Sequence, residues 1–270
     1  MTADAISYAY AVARDDGGLE RALAGLFGVS GAPVHLVRSE HCDGLVIAVS
    51  LVPESEFEED ALRLRLEDLD WLESTARAHH RVVEALAART TVLPLRLVTL
   101  YRDDERVRSV LADRCDAFGS RLEALASRAE WGVKVFVDEP TAEGREEPSA
   151  DEGLGPGRAY LSRRRAQRSA RDDAYRHAGH VARRIESAAR SYSVGRVRHR
   201  PQQGVLAPGA GQNIANDAYL VPSRYTDEFR AHVASAADGF EGVRVEITGP
   251  WAPYSFATPD LPQGGEGVAR

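Results

Sequence analysis

The apolar residues of this 270-residue chain switch between a period of two and a period near 3.6 in one order: strand, helix, strand, strand, helix, strand. The same order then comes a second time. A chain patterned this way must lay helices over antiparallel-rich sheet, because each strand has an apolar face that another layer has to cover. Ile6 to Val12 alternates and ends in the Arg14-Asp15-Asp16-Gly17-Gly18 turn, which predicts the first strand. Leu19 to Phe27 has helical spacing and stops at Gly28. Val34 to Val37 and Leu45 to Leu51 read as strands around His41-Cys42-Asp43-Gly44, where Asp-Gly predicts the hairpin turn. After Pro53 the residues Leu66, Leu69, Leu72, Ala76, His79, Val83 and Leu86 fall three and four apart, as the buried stripe of one long helix. Thr91 to Leu100 is rich in strand formers but contains Pro94, so a bent or edge strand is expected. Asp103 or Asp104 can cap a further helix striped by Val107, Val110, Leu111, Cys115, Phe118, Leu122 and Leu125, which leads towards the second half.

The second set opens with the alternating strand Trp131 to Val137. A helix from about Arg158 to Arg190 turns Ala170, Ala174, His177, Val181, Ile185 and Ala188 inward. Strands Val194 to Arg198 and Asp217 to Val221, a helix from Tyr225 to Ala236, and a strand from Gly242 to Ile247 complete it. That order is the ferredoxin-like supersecondary pattern, and it is clearer in the C-terminal half. Asp138 to Gly157 holds seven acids against one Arg among Pro and Gly, a composition that cannot bury enough apolar surface to order itself. Arg200 to Gly211 reads as a Pro/Gly loop. The expectation is an α+β protein of two domains. Residues 1–128 form an N-terminal α+β domain with long helices, and residues 129–270 a ferredoxin-like domain with a flexible loop at 138–157. No sequence identity relates the halves, so the chain is not read as a true internal repeat.

The formal charge of −7 conceals an asymmetry. From Arg158 to Arg200 thirteen Arg face Asp172, Asp173 and Glu186, a local balance of +10, which leaves −17 for the remainder. Lys134 is the only lysine, so nearly every cation is a guanidinium. Three readings of this run stand side by side. It can be a solvated face that neutralises the acidic stretch 138–157, a docking face for an acidic protein, or a nucleic-acid surface. The last needs stacked aromatics on the sheet, and parity places Trp131 and Phe136 on opposite faces of their strand.

The segment Thr248-Gly249-Pro250-Trp251-Ala252-Pro253-Tyr254-Ser255-Phe256 can be neither helix nor central strand, since both prolines lack an N–H and fix φ. Its three rings want burial, most naturally over the end of a sheet. This segment resembles the C-terminal signature of the gas vesicle protein L/F family. A second block agrees with it: Trp71-Leu72-Glu73, Ala76-Arg77-Ala78-His79, Val83, Leu86 and Thr91-Val92-Leu93-Pro94-Leu95-Arg96. Glu130-Trp131-Gly132-Val133-Lys134-Val135, Ala159-Tyr160-Leu161 with Arg163-Arg164-Arg165, and Ala218-Tyr219-Leu220-Val221 follow in the same order. One departure is Leu97-Val98-Thr99-Leu100, where the resemblance leads one to expect a Gly in a turn. The resemblance implies accessory work in building gas vesicles, through contacts with the small hydrophobic shell protein and other gas vesicle accessory proteins. Candidate partner-binding residues are Arg163, Arg164, Arg165, Arg168 and Arg171 on the basic helix, and Trp251, Tyr254 and Phe256 in the aromatic segment. An RNA-binding module that uses the Arg-rich helix is the alternative.

Hydrophobic content of 43% supports a packed core, and no apolar run approaches the roughly eighteen residues a membrane span needs. Met1 to Ile6 lacks the basic-then-apolar pattern of a signal peptide, so a cytoplasmic protein is expected. Cys42 and Cys115 lie far apart without metal-ligand spacing and read as two buried, reduced thiols. His79, on the apolar stripe, reads as a hydrogen-bonded core histidine. His177 and His180 lack the third ligand that a metal site requires. Neither Gly153-Leu154-Gly155-Pro156-Gly157 nor Pro208-Gly209-Ala210-Gly211 has the strand, helix and Lys of a phosphate cradle. No nucleophile–base frame is visible. The sequence thus predicts no catalytic residues, no cofactor, no metal, no nucleic-acid partner and no membrane partner.

Overall fold

The computed structural model describes residues 5–15, 17–138, 156–201 and 211–257, with backbone alone for 156–163 and 166. The acidic loop expected at 138–157 and the Pro/Gly loop at 200–211 lie almost entirely outside the described residues. The chain forms two compact units, one of Met1–Ala129 with Trp251–Arg270 and one of Glu130–Pro250. Among the described residues no helix is long and apolar enough to cross a membrane.

In the first unit, β1 (Ala5–Arg14), β2 (Val34–Ser39), β3 (Cys42–Pro53) and β4 (Val92–Tyr101) make a sheet in the order β2-β3-β1-β4. Every pairing in it is antiparallel. The helices are α1 (Leu19–Leu23), α2 (Glu59–Glu67), α3 (Leu69–Ala87), α4 (Asp104–Asp113) and α5 (Cys115–Leu125). Strand β1 is central and buried on both faces, and a bulge between Ala9 and Ala11 reverses its parity. That is why Ala11 and Ala13 share a cluster with Tyr8 and Tyr10, beneath Val82, Val83 and Leu86 of α3.

Several sequence expectations change here. The single stripe after Pro53 is two helices, broken at Asp68, whose side chain caps α3 by accepting from the Asp70 and Trp71 N–H groups. The break leaves Leu66 and Leu69 45% and 67% exposed, so the buried stripe starts only at Thr75. The α4–α5 pattern likewise breaks, at Arg114. In the β2–β3 hairpin Ser39 pairs with Cys42, so Glu40-His41 makes the turn, while Asp43-Gly44 forms a bulge with Gly44 at φ +74°. Cys42 and Cys115 are not free thiols: they form a disulfide with Cα atoms 5.4 Å apart. The start of β3 and the start of α5 meet in space across 73 residues of sequence, a proximity that spacing could not reveal.

The second unit repeats the order with β5 (Arg128–Val137), α6 (Pro156–Ala189), β6 (Gly195–His199), β7 (Gln212–Pro222), α7 (Thr226–Ala234) and β8 (Val243–Trp251). Its sheet runs β6-β7-β5-β8. The inner face of α6 carries Ala174, Ala178, Val181, Ile185 and Ala189, all buried. Trp131 and Phe136 are also buried, with Arg230 5.4 Å above the first ring and Arg244 4.4 Å above the second. Pro250 sits on β8, an edge strand, where a missing N–H costs no ladder bond. Gly249 has φ +127°, and a Cβ there would lie 2.8 Å from the Glu130 carbonyl oxygen, so the strand can pass Trp131 only as glycine. Trp251 to Ala257, placed with the second domain by sequence, belongs to the first unit, where Ala252 and Tyr254 pack into the cluster under α3.

Candidate partner-binding surfaces

In the first unit a groove of about 300 Å³ opens between α3, β4, α5 and the last described residues. Ala76, His79 and His80 come from α3, Leu93 to Leu97 from β4, Phe118 from α5, and Tyr254 and Ala257 from the C-terminal segment. Its lip is a second bulge. Thr99 pairs with Ala9 but Pro94 with Ala11, so Leu95 to Val98 swing out of the ladder. Val98 stands there at φ +61°, a left-handed conformation that is a true outlier for a β-branched residue.

Buried polar groups hold that lip. The Val98 N–H donates to Tyr8 Oη at 3.0 Å, and Tyr8 Oη lies 3.1 Å from His79 Nδ1. Burial raises the Tyr8 phenol well above its usual range and lowers His79 from 6.5 to about 4, the Leu95 carbonyl opposing the latter only in part. Tyr8 therefore keeps its proton and His79 stays neutral at pH 7, and the two rings share one hydrogen bond between Oη and Nδ1. His79 is 3% exposed, and its Nε2 makes no hydrogen bond among the described residues. At the rim His80 lies 3.3 Å from Tyr254 Oη and 3.1 Å from Glu84 Oε1. Arg121 donates to the Phe256 carbonyl at 2.7 Å. The Arg96 guanidinium is exposed and has no ion-pair partner among the described residues.

The aromatic candidates are thus largely committed to internal packing. Tyr254 and Phe256 are half-buried, while Trp251 is 40% exposed, with its ring centroid 5.6 Å from that of His80. In the second unit Arg164, Arg165, Arg168 and Arg171 are exposed on α6; the side chain of Arg163 lies outside the described residues. Farther along the helix the charges are partly matched: Arg176 pairs with Asp173 and Arg190 with Glu186. Arg196 bridges Glu186 at 2.9 Å and Asp217 at 3.0 Å. The basic and aromatic candidates therefore lie in different units.

The remaining titratable groups do not assemble a reaction centre among the described residues. His177 and His180 both pack on Phe240, at centroid distances of 5.4 and 5.3 Å, and no cluster of three potential metal ligands occurs among the described residues. Ser7 and His35 both contact Asp104, whose carboxylate sits in the middle, 2.6 Å from Ser7 Oγ and 2.7 Å from His35 Nε2. Activation of a serine needs histidine in that place. Sequence reading missed the groove. Its one available signal was the Leu97-Val98-Thr99-Leu100 departure, where a Gly is expected in the run that holds the left-handed Val98.

Comparison with known proteins agrees across nearly the whole chain. The family model described as gas vesicle synthesis protein GvpL/GvpF matches residues 6–258. Gas vesicle protein L of Streptomyces sp. (strain CB03234) is 45% identical over 260 residues, 95% of this chain and 94% of that protein. Gas vesicle protein F of the same strain is 28% identical over 261 residues, 93% of this chain and 98% of its own length. In fold, the chain resembles the crystal structure of GvpF from Anabaena sp. PCC7120, with a TM-score of 0.62 at 19% identity, covering 95% of this chain and 98% of that one.

Proposed function

Because the chain belongs to the gas vesicle GvpL/GvpF family, we propose that it is a non-catalytic accessory or minor structural protein that binds the small hydrophobic shell protein during vesicle nucleation and assembly. The observation that supports this reading is the family match from residue 6 to residue 258. The physical logic is simple. A shell subunit exposes apolar surface before it assembles, and a folded partner can mask that surface or align its edge. Each unit is read as a ferredoxin-like sandwich, supported by the shared strand orders β2-β3-β1-β4 and β6-β7-β5-β8. The protein works in the cytoplasm on nascent vesicles, with the exposed Arg face of α6 as one contact surface and other accessory proteins as further partners. An RNA-binding role has less support, because the rings of β5 are buried under arginines rather than open for base stacking.

Co-expression with a tagged shell subunit tests the reading. The wild-type chain should be retained with the tag, and changing Arg164, Arg165 and Arg168 together to Glu should weaken retention. Absence of retention by the wild-type chain would refute the function.

A further inference from the structure

We propose that the groove between α3, β4 and the Tyr254–Ala257 segment is the seat for an apolar side chain of the shell subunit, next to which the subunit presents a carboxylate to Arg96. This inference rests on the proposed function and assigns it a second surface, in the first unit.

Its lining includes the side chains of Leu93, Leu95, Leu97, Phe118 and Ala76, which offer water no hydrogen bonds. A volume of about 300 Å³ is at the low end for ligand pockets (roughly 300–1,000 Å³) and suits one or two large side chains rather than an extended cofactor. Two polar groups of the lining have nothing to satisfy them. Among the described residues, His79 Nε2 is a buried ring nitrogen without a hydrogen-bond partner, and Arg96 is an exposed cation without an anion. An apolar anchor followed by an acidic residue supplies both deficits: the side chain fills the groove, a backbone polar group beside it faces His79 Nε2, and the carboxylate meets Arg96. The lip is already formed. Val98 is held in its left-handed conformation by the bond to Tyr8, so the groove is pre-shaped and little ordering is left for the moment of binding.

Co-expression of the full chain with a tagged shell subunit decides the matter. Ala76→Phe fills the groove without changing charge, Arg96→Glu reverses the rim, and Arg81→Glu reverses an exposed cation of α3 outside the groove. Retention should fall about tenfold for the first two, the equivalent of about 1.4 kcal/mol, and stay at wild-type level for Arg81→Glu. Thermal melts confirm folding, and if Ala76→Phe does not fold, Arg96→Glu against Arg81→Glu carries the test. If the wild-type chain is retained and the groove variants are retained equally, the groove is refuted and the function stands. Equal loss with Arg81→Glu also refutes it, by showing general charge attraction. If the wild-type chain itself is not retained, the function fails and the groove with it.

Discussion

The two units share one strand order and are locked by different chemistry. The first surrounds its central strand with buried polar rings, Tyr8, Tyr10 and His79, and ties β3 to α5 through a disulfide. The second rests an Ala-lined helix on its sheet and fastens α6, β6 and β7 with the Glu186–Arg196–Asp217 ion pairs. Topology therefore sets only which faces need cover. Covalent and buried polar locks make the first unit sensitive to reductant and acid, whereas the second should respond to the loss of single charges.

The largest effect should come from the disulfide. A cross-link that closes 73 residues removes loop entropy from the unfolded chain worth about 4 kcal/mol. Cys42→Ser with Cys115→Ser should destabilise the first unit by that order while leaving the second untouched. Calorimetry with and without reductant checks it, and a single unshifted transition would break the comparison.

Acid comes next. His79 carries a folded-state value of about 4 against 6.5 unfolded, so between those values the unfolded chain binds more protons. Stability is complete above pH 6.5, falls as pH drops, and is fully lost by about pH 4. The whole effect is about 3 kcal/mol, at 1.36 kcal/mol per unit. Denaturant melts across that window should show the slope, and His79→Gln should flatten it. In the second unit, Asp217→Ala strips Arg196 of one partner. Breaking a fully buried pair costs roughly 3–5 kcal/mol, but Arg196 is about a quarter exposed, so about 2 kcal/mol is expected after allowing for solvent. Chemical denaturation of the variant measures this.

How much of this was legible in advance follows from what each signal depends on. Strand and helix order is local, so Ile6 to Val12 and Trp131 to Val137 could be read from periodicity alone. On α6, Ala174, Val181 and Ile185 face inward as expected, but Ala178 and Ala189 are buried where the spacing predicts His177 and Ala188. Leu66 and Leu69 extended a perfect stripe yet are exposed, because a capping Asp68 outweighed the pattern. The cysteine pair and the groove are contacts between residues distant in sequence, and no spacing rule reaches them. The aromatic tail announced its need for burial but not which unit would supply it. The Arg face of α6 was legible as charge, while Arg96 became distinctive only when its apolar surroundings were in view.

The smallest effect is the most diagnostic of the groove. Replacing a valine by glycine within a strand ordinarily costs stability twice, through lost apolar contact and through the extra freedom of the unfolded glycine, together about 2 kcal/mol. At Val98 a third quantity has the opposite sign. The left-handed backbone penalises a side chain by about 1–2 kcal/mol, and glycine removes it. Val98→Gly should therefore be close to neutral, within about 0.5 kcal/mol, whereas Leu97→Gly, one residue away and not left-handed, should lose about 2 kcal/mol. Equal losses at both positions would mean that Val98 carries no strain, and that the lip is held by ordinary packing rather than by the bond from its N–H to Tyr8.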